Sequence, residues 1–145
     1  MVEILNDHNE LTDEQYTRLT EEVLNARDLS YSPYSKFRVG CVVVTEDDKF
    51  IIGANVENAS YGAGICAERV AITKAVTSGY NKFKLIAISG DDPTEYITPC
   101  GICRQFIREF SRDIPIYMYN TNGKHIKVDL SDLLPLSFGP ENLLK

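Results

Sequence analysis

The chain has 145 residues, which suits one domain, and its 43% hydrophobic and 25% charged residues are typical of a globular protein. Its 15 lysines and arginines against 21 aspartates and glutamates give a net charge of −6. A polynucleotide-binding protein needs a cationic surface, and this sequence has no basic run. DNA and RNA are therefore poor partners, and a small neutral ligand is expected instead.

The N-terminal segment, MVEILNDHNE, is acidic and polar and lacks the charged and then apolar pattern of a signal peptide. The apolar runs, such as VGCVVV, are far shorter than a membrane span. We therefore expect no membrane association and a cytoplasmic location, which the sequence does not separate from a nuclear one. In such a reducing compartment, cysteines bind metals or act in catalysis more often than they form disulfides. We also expect residues 1–10 to be flexible.

The first predicted element is a helix over residues 11–29. Thr12 and Gln15 have the spacing of a capping box, and Leu11 and Tyr16 have that of a hydrophobic staple. Apolar residues then recur every three or four positions, which indicates a helix with one buried face.

The later elements follow from turn residues and from the period of the apolar positions. In the first half of the chain we predict a loop over YSPYSKF (31–37), a hairpin of strands 37–45 and 49–57, and a glycine-rich connection (57–64). A helix then runs from Cys66 to about Ser78, with Gly79 after its C-cap, and a buried strand follows (84–90). The last predicted elements are a helix from near Pro99 or Cys100, strands 114–120 and 125–130, and a short helix at SDLLP. This order predicts a single domain over residues 1–145 with a three-layer α/β/α fold and a central mixed sheet.

Three of the four cysteines lie in two short strings, CAER (66–69) and PCGIC (99–103). Both strings begin predicted helices, where unpaired amides and the helix dipole favour ionised thiols. Cys66, Cys100 and Cys103 can therefore provide three ligands to one zinc ion. The fourth position is left to water, as in catalytic zinc sites.

Three thiolates reduce the charge of a zinc site from +2 to −1 and weaken the ion as a Lewis acid. The two helix N-termini compensate in part. Arg69 is a candidate for further compensation, through a hydrogen bond to a ligand thiolate. Glu68 is placed to take a proton from the water.

Other interpretations stay open on the residue pattern alone. A C-x-x-C motif after a strand also occurs in thioredoxin-like redox pairs. Cys41 could complete a structural site of four cysteines, although VGCVVV favours a core residue. Arg69 could be a surface arginine, and Phe37 the first core residue of its strand. His8 and His125 lack the spacing of metal ligands.

Together, C-A-E and P-C-x-x-C resemble the signature of zinc nucleoside deaminases. From about residue 15 to 140 the chain is similar to the small single-domain cytidine deaminases of pyrimidine salvage, in the strings YSPYSKFRVG, GANVENASYGAGICAERVAI, PCGICRQFI and LLPLSFGP. The resemblance implies one zinc ion per chain, held by the three cysteines, and hydrolysis of free cytidine and 2′-deoxycytidine to uridine, 2′-deoxyuridine and ammonia. A zinc-bound hydroxide would attack C4, with Glu68 as the proton shuttle.

The resemblance also implies which residues contact the nucleoside. Asn55 and Glu57 would bind the ribose, and Phe37 would pack against the pyrimidine. Members of this size resemble homotetramers in which a C-terminal phenylalanine, here Phe138, reaches the active site of a neighbouring subunit. Further contacts to base or sugar are implied for the backbone around Ala59 and Tyr61 and for the amide of Ala67.

Three rival functions are kept. The chain could act on a nucleotide or on an aminonucleoside antibiotic, although the string NVEN argues against the antibiotic. It could be a polynucleotide deaminase, which its acidic charge disfavours. It could also be a zinc-stabilised binding module without catalysis.

Overall fold

Five strands form one mixed sheet in the computed structural model of the chain, which describes residues 1–144. The strands are β1 (Val39–Thr45), β2 (Phe50–Ala54), β3 (Phe83–Gly90), β4 (Pro115–Tyr119) and β5 (His125–Asp129). Their order across the sheet is β2-β1-β3-β4-β5, and all neighbours are antiparallel except β3 and β4, which are parallel. The predicted strands and the mixed sheet are confirmed.

Four α-helices accompany the sheet: α1 (Asp13–Ala26), α2 (Ala67–Thr77), α3 (Gly101–Arg108) and α4 (Leu130–Leu133). The predicted capping box is present, because Gln15 N–H donates to Thr12 Oγ1 (3.1 Å) and Thr12 N–H donates to Gln15 Oε1 (2.9 Å). Gly79 follows the C-cap of α2 with a positive φ of 95°, as predicted. Within residues 1–144, no helix has both the length and the apolar character needed to cross a membrane.

The sheet lies between two layers of helices, because successive strand residues point to opposite faces. On one face, residues of α2 and α3 pack against Cys41, Val43, Ile86, Ile88, Ile116 and Met118. On the other face, residues of α1 pack against Val42, Val44, Leu85, Ala87, Tyr117 and Tyr119. This arrangement is the predicted three-layer α/β/α architecture.

The first ten residues, for which we expected flexibility, include a segment that pairs with the sheet edge. Leu5 and Lys127 of β5 exchange two main-chain hydrogen bonds, of 2.9 and 2.7 Å. The buried Lys127 ammonium also forms an ion pair with Asp7. The N-terminal segment is therefore attached to the sheet edge by the main chain of Leu5 and the side chain of Asp7.

The starts of α2 and α3 lie together beside the end of β3. Cys66, directly before α2, and Cys100, directly before α3, line one cavity with Ile88 of β3. The fold thus brings the two cysteine strings to the same place although 34 positions separate Cys66 from Cys100.

Candidate active site

Three thiols meet where α2 and α3 begin. Cys66 is the N-cap of α2, Cys100 is the N-cap of α3, and Cys103 lies in the first turn of α3 on the same side as Cys100. The three Sγ atoms all lie within 4.8 Å of one another, and Cys66 Sγ is 3.8 Å from Cys100 Sγ. Three sulfur donors in this arrangement suit zinc.

Hydrogen bonds lower the pKa of one thiol and raise that of another. The pKa of Cys66 is lowered to about 5, because the Cys103 thiol and then the Arg69 guanidinium donate hydrogen bonds to its sulfur. The same bond to Cys66, together with burial, raises the pKa of Cys103. A bound metal ion displaces such protons and favours the thiolate form of each ligand.

Glu68 is the buried carboxyl group of the site. It is the second residue of α2, it is only 4% exposed, and it lines the same cavity as Cys66 and Cys100. Burial raises its pKa to about 6. A carboxyl group with a pKa near neutrality can both take up and release a proton at physiological pH.

Arg69 lies against the thiols. Its Nη2 is 3.5 Å from Cys66 Sγ and donates a hydrogen bond to it, which raises the pKa of the guanidinium. Its Nε is buried and has no hydrogen-bond partner within residues 1–144. The guanidinium therefore brings positive charge to the sulfur cluster, where thiolates accumulate negative charge.

A cavity of about 240 Å³ opens beside Cys66, Cys100 and Glu68. Of the residues that we expected to contact a nucleoside, Phe37, Asn55 and Ala67 line it. Its wall therefore combines an aromatic ring and an amide with the thiols and the buried carboxyl group.

Asn55 is held by the protein on three sides. Its Oδ1 accepts hydrogen bonds from the Ser30 hydroxyl (2.5 Å) and the Val39 N–H (2.9 Å), and its Nδ2 donates to the Phe37 carbonyl (3.0 Å). Within the described residues, these bonds occupy both lone pairs of the amide oxygen and leave one N–H for a ligand. Asn55 thus fixes the backbone of Phe37 as well as lining the cavity.

Glu57 fastens the loop that precedes β1. Its Oε1 accepts from the N–H groups of Tyr34 (2.9 Å) and Ser35 (3.1 Å), and its Oε2 accepts from the Ser35 hydroxyl. These bonds lower the pKa of Glu57, and the bond from the Ser35 hydroxyl has the largest effect. Glu57 lines a neighbouring cavity of about 290 Å³ with Tyr34 and Tyr61. Asn55, Glu57 and Cys66 all line another depression of about 370 Å³ between the two.

Comparison with known proteins identifies this arrangement. The sequence profile of the cytidine and deoxycytidylate deaminase zinc-binding region matches residues 13–118. A probable cytidine deaminase of Dictyostelium discoideum is 40% identical over 134 residues, 92% of this chain and 90% of that protein. A cytidine deaminase of Sporosarcina psychrophila is 40% identical over 127 residues, 87% of this chain and 93% of that protein. The crystal structure of a cytidine deaminase from Burkholderia pseudomallei superposes with a TM-score of 0.81 at 40% identity and covers 88% of this chain and 100% of that one.

The chain belongs to the cytidine and deoxycytidylate deaminase family. It is therefore an enzyme, a hydrolase, and zinc is its cofactor, as the resemblance implied. A binding module without catalysis and a thioredoxin-like redox pair are both set aside by this membership. Cys41 is fully buried in β1 and does not join the three-thiol group, so the described residues form no four-cysteine site.

The other residues implied by the family resemblance are dispersed around the site. Ala67 is buried at the start of α2, and Tyr61 is 79% exposed at the edge of the Glu57 cavity. Ala59 is exposed in the glycine-rich connection. Phe138 is 55% exposed, and its carbonyl accepts a hydrogen bond from Gln105 (3.0 Å). Within residues 1–144, Phe138 is not part of the wall of the 240 Å³ cavity.

Much of the cavity wall was not predicted from the sequence, namely Val39, Ile88, Ile97 and Thr98. The alternation of side chains along β1 and β3 could have placed Val39 and Ile88 on the face of the sheet that α2 and α3 cover, beside the thiols. Ile97 and Thr98 directly precede Pro99, so their position beside the PCGIC string could also have indicated that they lie near the thiols. Arg104 was missed as well: it donates to the Pro99 carbonyl (2.7 Å) and anchors the PCGIC string.

Proposed function

We propose that the chain is a cytoplasmic cytidine deaminase of pyrimidine salvage. It hydrolyses free cytidine and 2′-deoxycytidine to uridine and 2′-deoxyuridine with release of ammonia. The observation that carries this proposal is the convergence of three thiols and a buried carboxyl group beside one cavity of about 240 Å³. Cys66, Cys100 and Cys103 are the ligands of one zinc ion per chain.

A zinc ion held by these three cysteines would lower the pKa of a water molecule at the site. Glu68 takes one proton from the attacking water and delivers it to N3 of the pyrimidine, then takes the remaining proton from the new C4 hydroxyl group and delivers it to the departing amine, so that ammonia leaves and a C4 carbonyl remains. A C4–O bond forms and the C4–N bond breaks. Arg69 offsets part of the thiolate charge through its hydrogen bond to Cys66.

Phe37 and Asn55 orient the nucleoside beside these groups. Phe37 packs against the pyrimidine, and the free N–H of Asn55 donates to a sugar hydroxyl. Glu57 accepts a hydrogen bond from the sugar with the remaining lone pair of Oε2. Further contacts come from the backbone around Ala59 and Tyr61 and from the Ala67 amide.

The first experiment is an ultraviolet assay of purified protein with cytidine and with 2′-deoxycytidine. The expected result is loss of the cytidine absorbance and release of one ammonia per uridine formed. A Glu68→Gln preparation with the same zinc content controls for contaminating deaminases. Absence of turnover in zinc-loaded wild-type protein would contradict the proposal.

Substrate charge tests the free-nucleoside assignment. A 5′-phosphate brings about two negative charges toward Glu57 and the thiolates. Within the described residues, neither the 240 Å³ cavity nor the 290 Å³ cavity beside Glu57 has a lysine or arginine in its wall, and Arg69, which lines the 370 Å³ depression, is bonded to Cys66. The kcat/KM for cytidine should therefore exceed that for cytidine monophosphate by at least about a hundredfold. Glu57→Gln should weaken the binding of cytidine and reduce this ratio. Equal efficiency on the two would indicate a nucleotide substrate.

We further propose a homotetramer in which Phe138 completes the active site of a neighbouring subunit. Its ring is half exposed near Leu136, which is fully exposed, and such apolar surface favours burial against another copy. Mixing Phe138→Ala with Glu68→Gln subunits tests this. Hybrid tetramers would contain sites with both residues intact, so activity should rise above the sum of the two preparations. No rise after confirmed subunit exchange would contradict shared sites.

A further inference from the structure

Asp91, the residue directly after β3, binds two arginines from different segments. Its Oδ2 accepts hydrogen bonds from the main-chain N–H (2.8 Å) and the Nε (3.0 Å) of Arg38. Its Oδ1 accepts from Arg38 Nη2 (2.9 Å) and from Arg27 Nη1 (3.3 Å). The two-pronged contact with Arg38 is the strong and directional form of an ion pair.

This cluster lies directly behind the wall of the cavity. Phe37 and Val39 line the cavity, whereas Arg38 between them contacts Asp91 and Asp28 instead. Val39 and Gly90 form the last pair of the ladder between β1 and β3. The bond from Arg38 N–H to Asp91 therefore continues the connection between these strands one position beyond the sheet.

Gly90 shows how closely Phe37 approaches this end of β3. A Cβ atom at Gly90 would lie 3.0 and 3.1 Å from two ring carbons of Phe37 and 3.3 Å from the Cβ of Ile97. The ring thus rests on the backbone of the residue that precedes Asp91. A shift of residues 37–39 relative to residues 90–91 would move the ring within the cavity.

Arg27 connects the same point to the end of α1. Its Nε donates to the Leu24 carbonyl (2.9 Å), and its Nη1 donates to the Gly90 carbonyl (3.2 Å) as well as to Asp91. The side chains of Arg27 and Asp91 are only 16% and 21% exposed. Because water competes weakly there, these bonds restrain the backbone more firmly than a surface ion pair would.

We propose that Asp91 is a positioning residue for the deaminase reaction, which acts through Arg38 to hold the Phe37 ring in place against the nucleobase. This inference rests on the proposed function, since it assumes that the base lies against Phe37. Asp91 itself does not line the cavity. Its effect is therefore expected on substrate binding, with the metal and the proton transfer unchanged.

The test compares Asp91→Asn with Asp28→Asn, its matched control. Asp28 binds the same guanidinium through Nη1 (2.8 Å), but its side chain is 72% exposed. Asp91→Asn should raise KM for cytidine by about tenfold with kcat within about twofold of wild type, because ring packing contributes equally to ground and transition states. The Kd of the product uridine should rise in parallel, and zinc content should stay unchanged. Asp28→Asn should leave KM within about twofold.

A double-mutant cycle tests whether the effect passes through the ring. In a Phe37→Ala background, Asp91→Asn should change KM by less than about twofold, because the group that it positions is gone. Arg38→Gln, which keeps Asp91 and removes the guanidinium, should reproduce the KM increase and provides the test if Asp91→Asn does not fold.

The inference would be overturned, with the proposed function left standing, if the Asp91 and Arg38 variants had the same KM for cytidine as Asp28→Asn. It would likewise be overturned if Asp91→Asn raised KM as much in the Phe37→Ala background as in the wild type. A fall in kcat with loss of zinc would also overturn it, since it would indicate a general structural role. An inactive zinc-loaded wild type would overturn the proposed function and this inference with it.

Discussion

Titratable side chains are buried on both faces of the sheet, but their contacts differ between the two faces. On the α1 face lies a group of side chains that we call the N-terminal network, formed by Asp7, Glu10, Tyr16, Tyr117, His125 and Lys127. Lys127 Nζ binds Asp7 and Glu10 (3.1 Å to Oε2), and the Tyr117 hydroxyl donates to Glu10. His125 Nδ1 lies 2.6 Å from the Tyr16 hydroxyl, and its Nε2 lies 3.0 Å from the Asp7 carbonyl.

The side chains of the thiol site on the opposite face bond to one another only in part within the described residues, and they border open space. Three sulfurs crowd within 4.8 Å, Arg69 Nε is buried without a partner, and Glu68 borders an open cavity. Three thiols and a buried carboxyl group that converge beside a cavity can contact a bound ligand, whereas the side chains of the N-terminal network contact one another. We therefore expect the N-terminal network to stabilise the fold and the thiol site to carry the chemistry.

The largest effect is expected at the metal ligands. Cys103→Ala should abolish both zinc binding and activity, because two thiolates and water hold zinc poorly. Metal analysis should find about one zinc per wild-type chain and almost none in the variant. Cys41→Ala, also fully buried, should keep its zinc and lose only core stability. Full zinc occupancy in Cys103→Ala would mean that the ligand set is wrong.

The next effect concerns the proton shuttle. Glu68→Gln should lower kcat by roughly 10² to 10⁴ while keeping the fold and the zinc, because an amide cannot carry the proton. The measurements are steady-state kinetics, metal content and the melting temperature. A kcat near the wild-type value would remove Glu68 from the mechanism and weaken the contrast between the two faces.

A smaller effect, on stability alone, is expected in the N-terminal network. Lys127→Met should lower the free energy of unfolding by about 1–3 kcal/mol, because Asp7 and Glu10 lose their buried cation. The value of kcat/KM should stay within about twofold of wild type. Lys124→Met, on an exposed lysine of the same hairpin, is the control and should change stability by less than about 0.5 kcal/mol. Loss of activity in Lys127→Met would place the network in the functional machinery.

The smallest effect is a pH dependence of stability. Burial lowers the pKa of His125 below its ordinary value of 6.5, and its neighbours in the fold include His8, Lys127 and Asp7. As the pH falls through 6.5 toward the lower folded value, the unfolded chain takes up the proton first, so stability decreases. Above 6.5 both states are neutral and the effect vanishes.

The check is the melting temperature of wild type and of His125→Gln between about pH 7.5 and 5.5. The wild-type protein should lose more stability over this range, while the zinc site and His8 are common to both proteins. Identical slopes would show that His125 does not couple folding to protons here.

Local patterns predicted what local physics determines. The capping box of α1, the β1–β2 hairpin and the thiols at two helix starts all follow from residues within a few positions of one another. The pairing of the N-terminal segment was missed because Asp7 and Lys127 are 120 positions apart in the sequence. The sequence of this acidic, polar segment does not by itself indicate that Asp7 forms an ion pair with the buried Lys127.

The site was predicted to the same extent and for the same reason. C-A-E and P-C-x-x-C are short strings whose chemistry can be read directly, and the structure brings their cysteines and Glu68 to one place. Asp91 and Arg38 lie 53 positions apart, and only the β1–β3 register brings them together. Asn55 was expected to serve the substrate, and its three bonds to the surrounding backbone and to Ser30 were invisible in the sequence.

The spacing of the cysteine strings has a consequence for folding. Cys66 and Cys100 enclose α2, β3 and the loop that follows, so an ion bound to both closes a loop of 34 positions. Such a cross-link would constrain the chain as a disulfide does. Because both helix starts must be docked against β3 for the thiols to meet, zinc is expected to bind the folded chain more tightly than the unfolded one, and to stabilise the fold. Under chelation, the region between the two strings should be the first to gain hydrogen exchange.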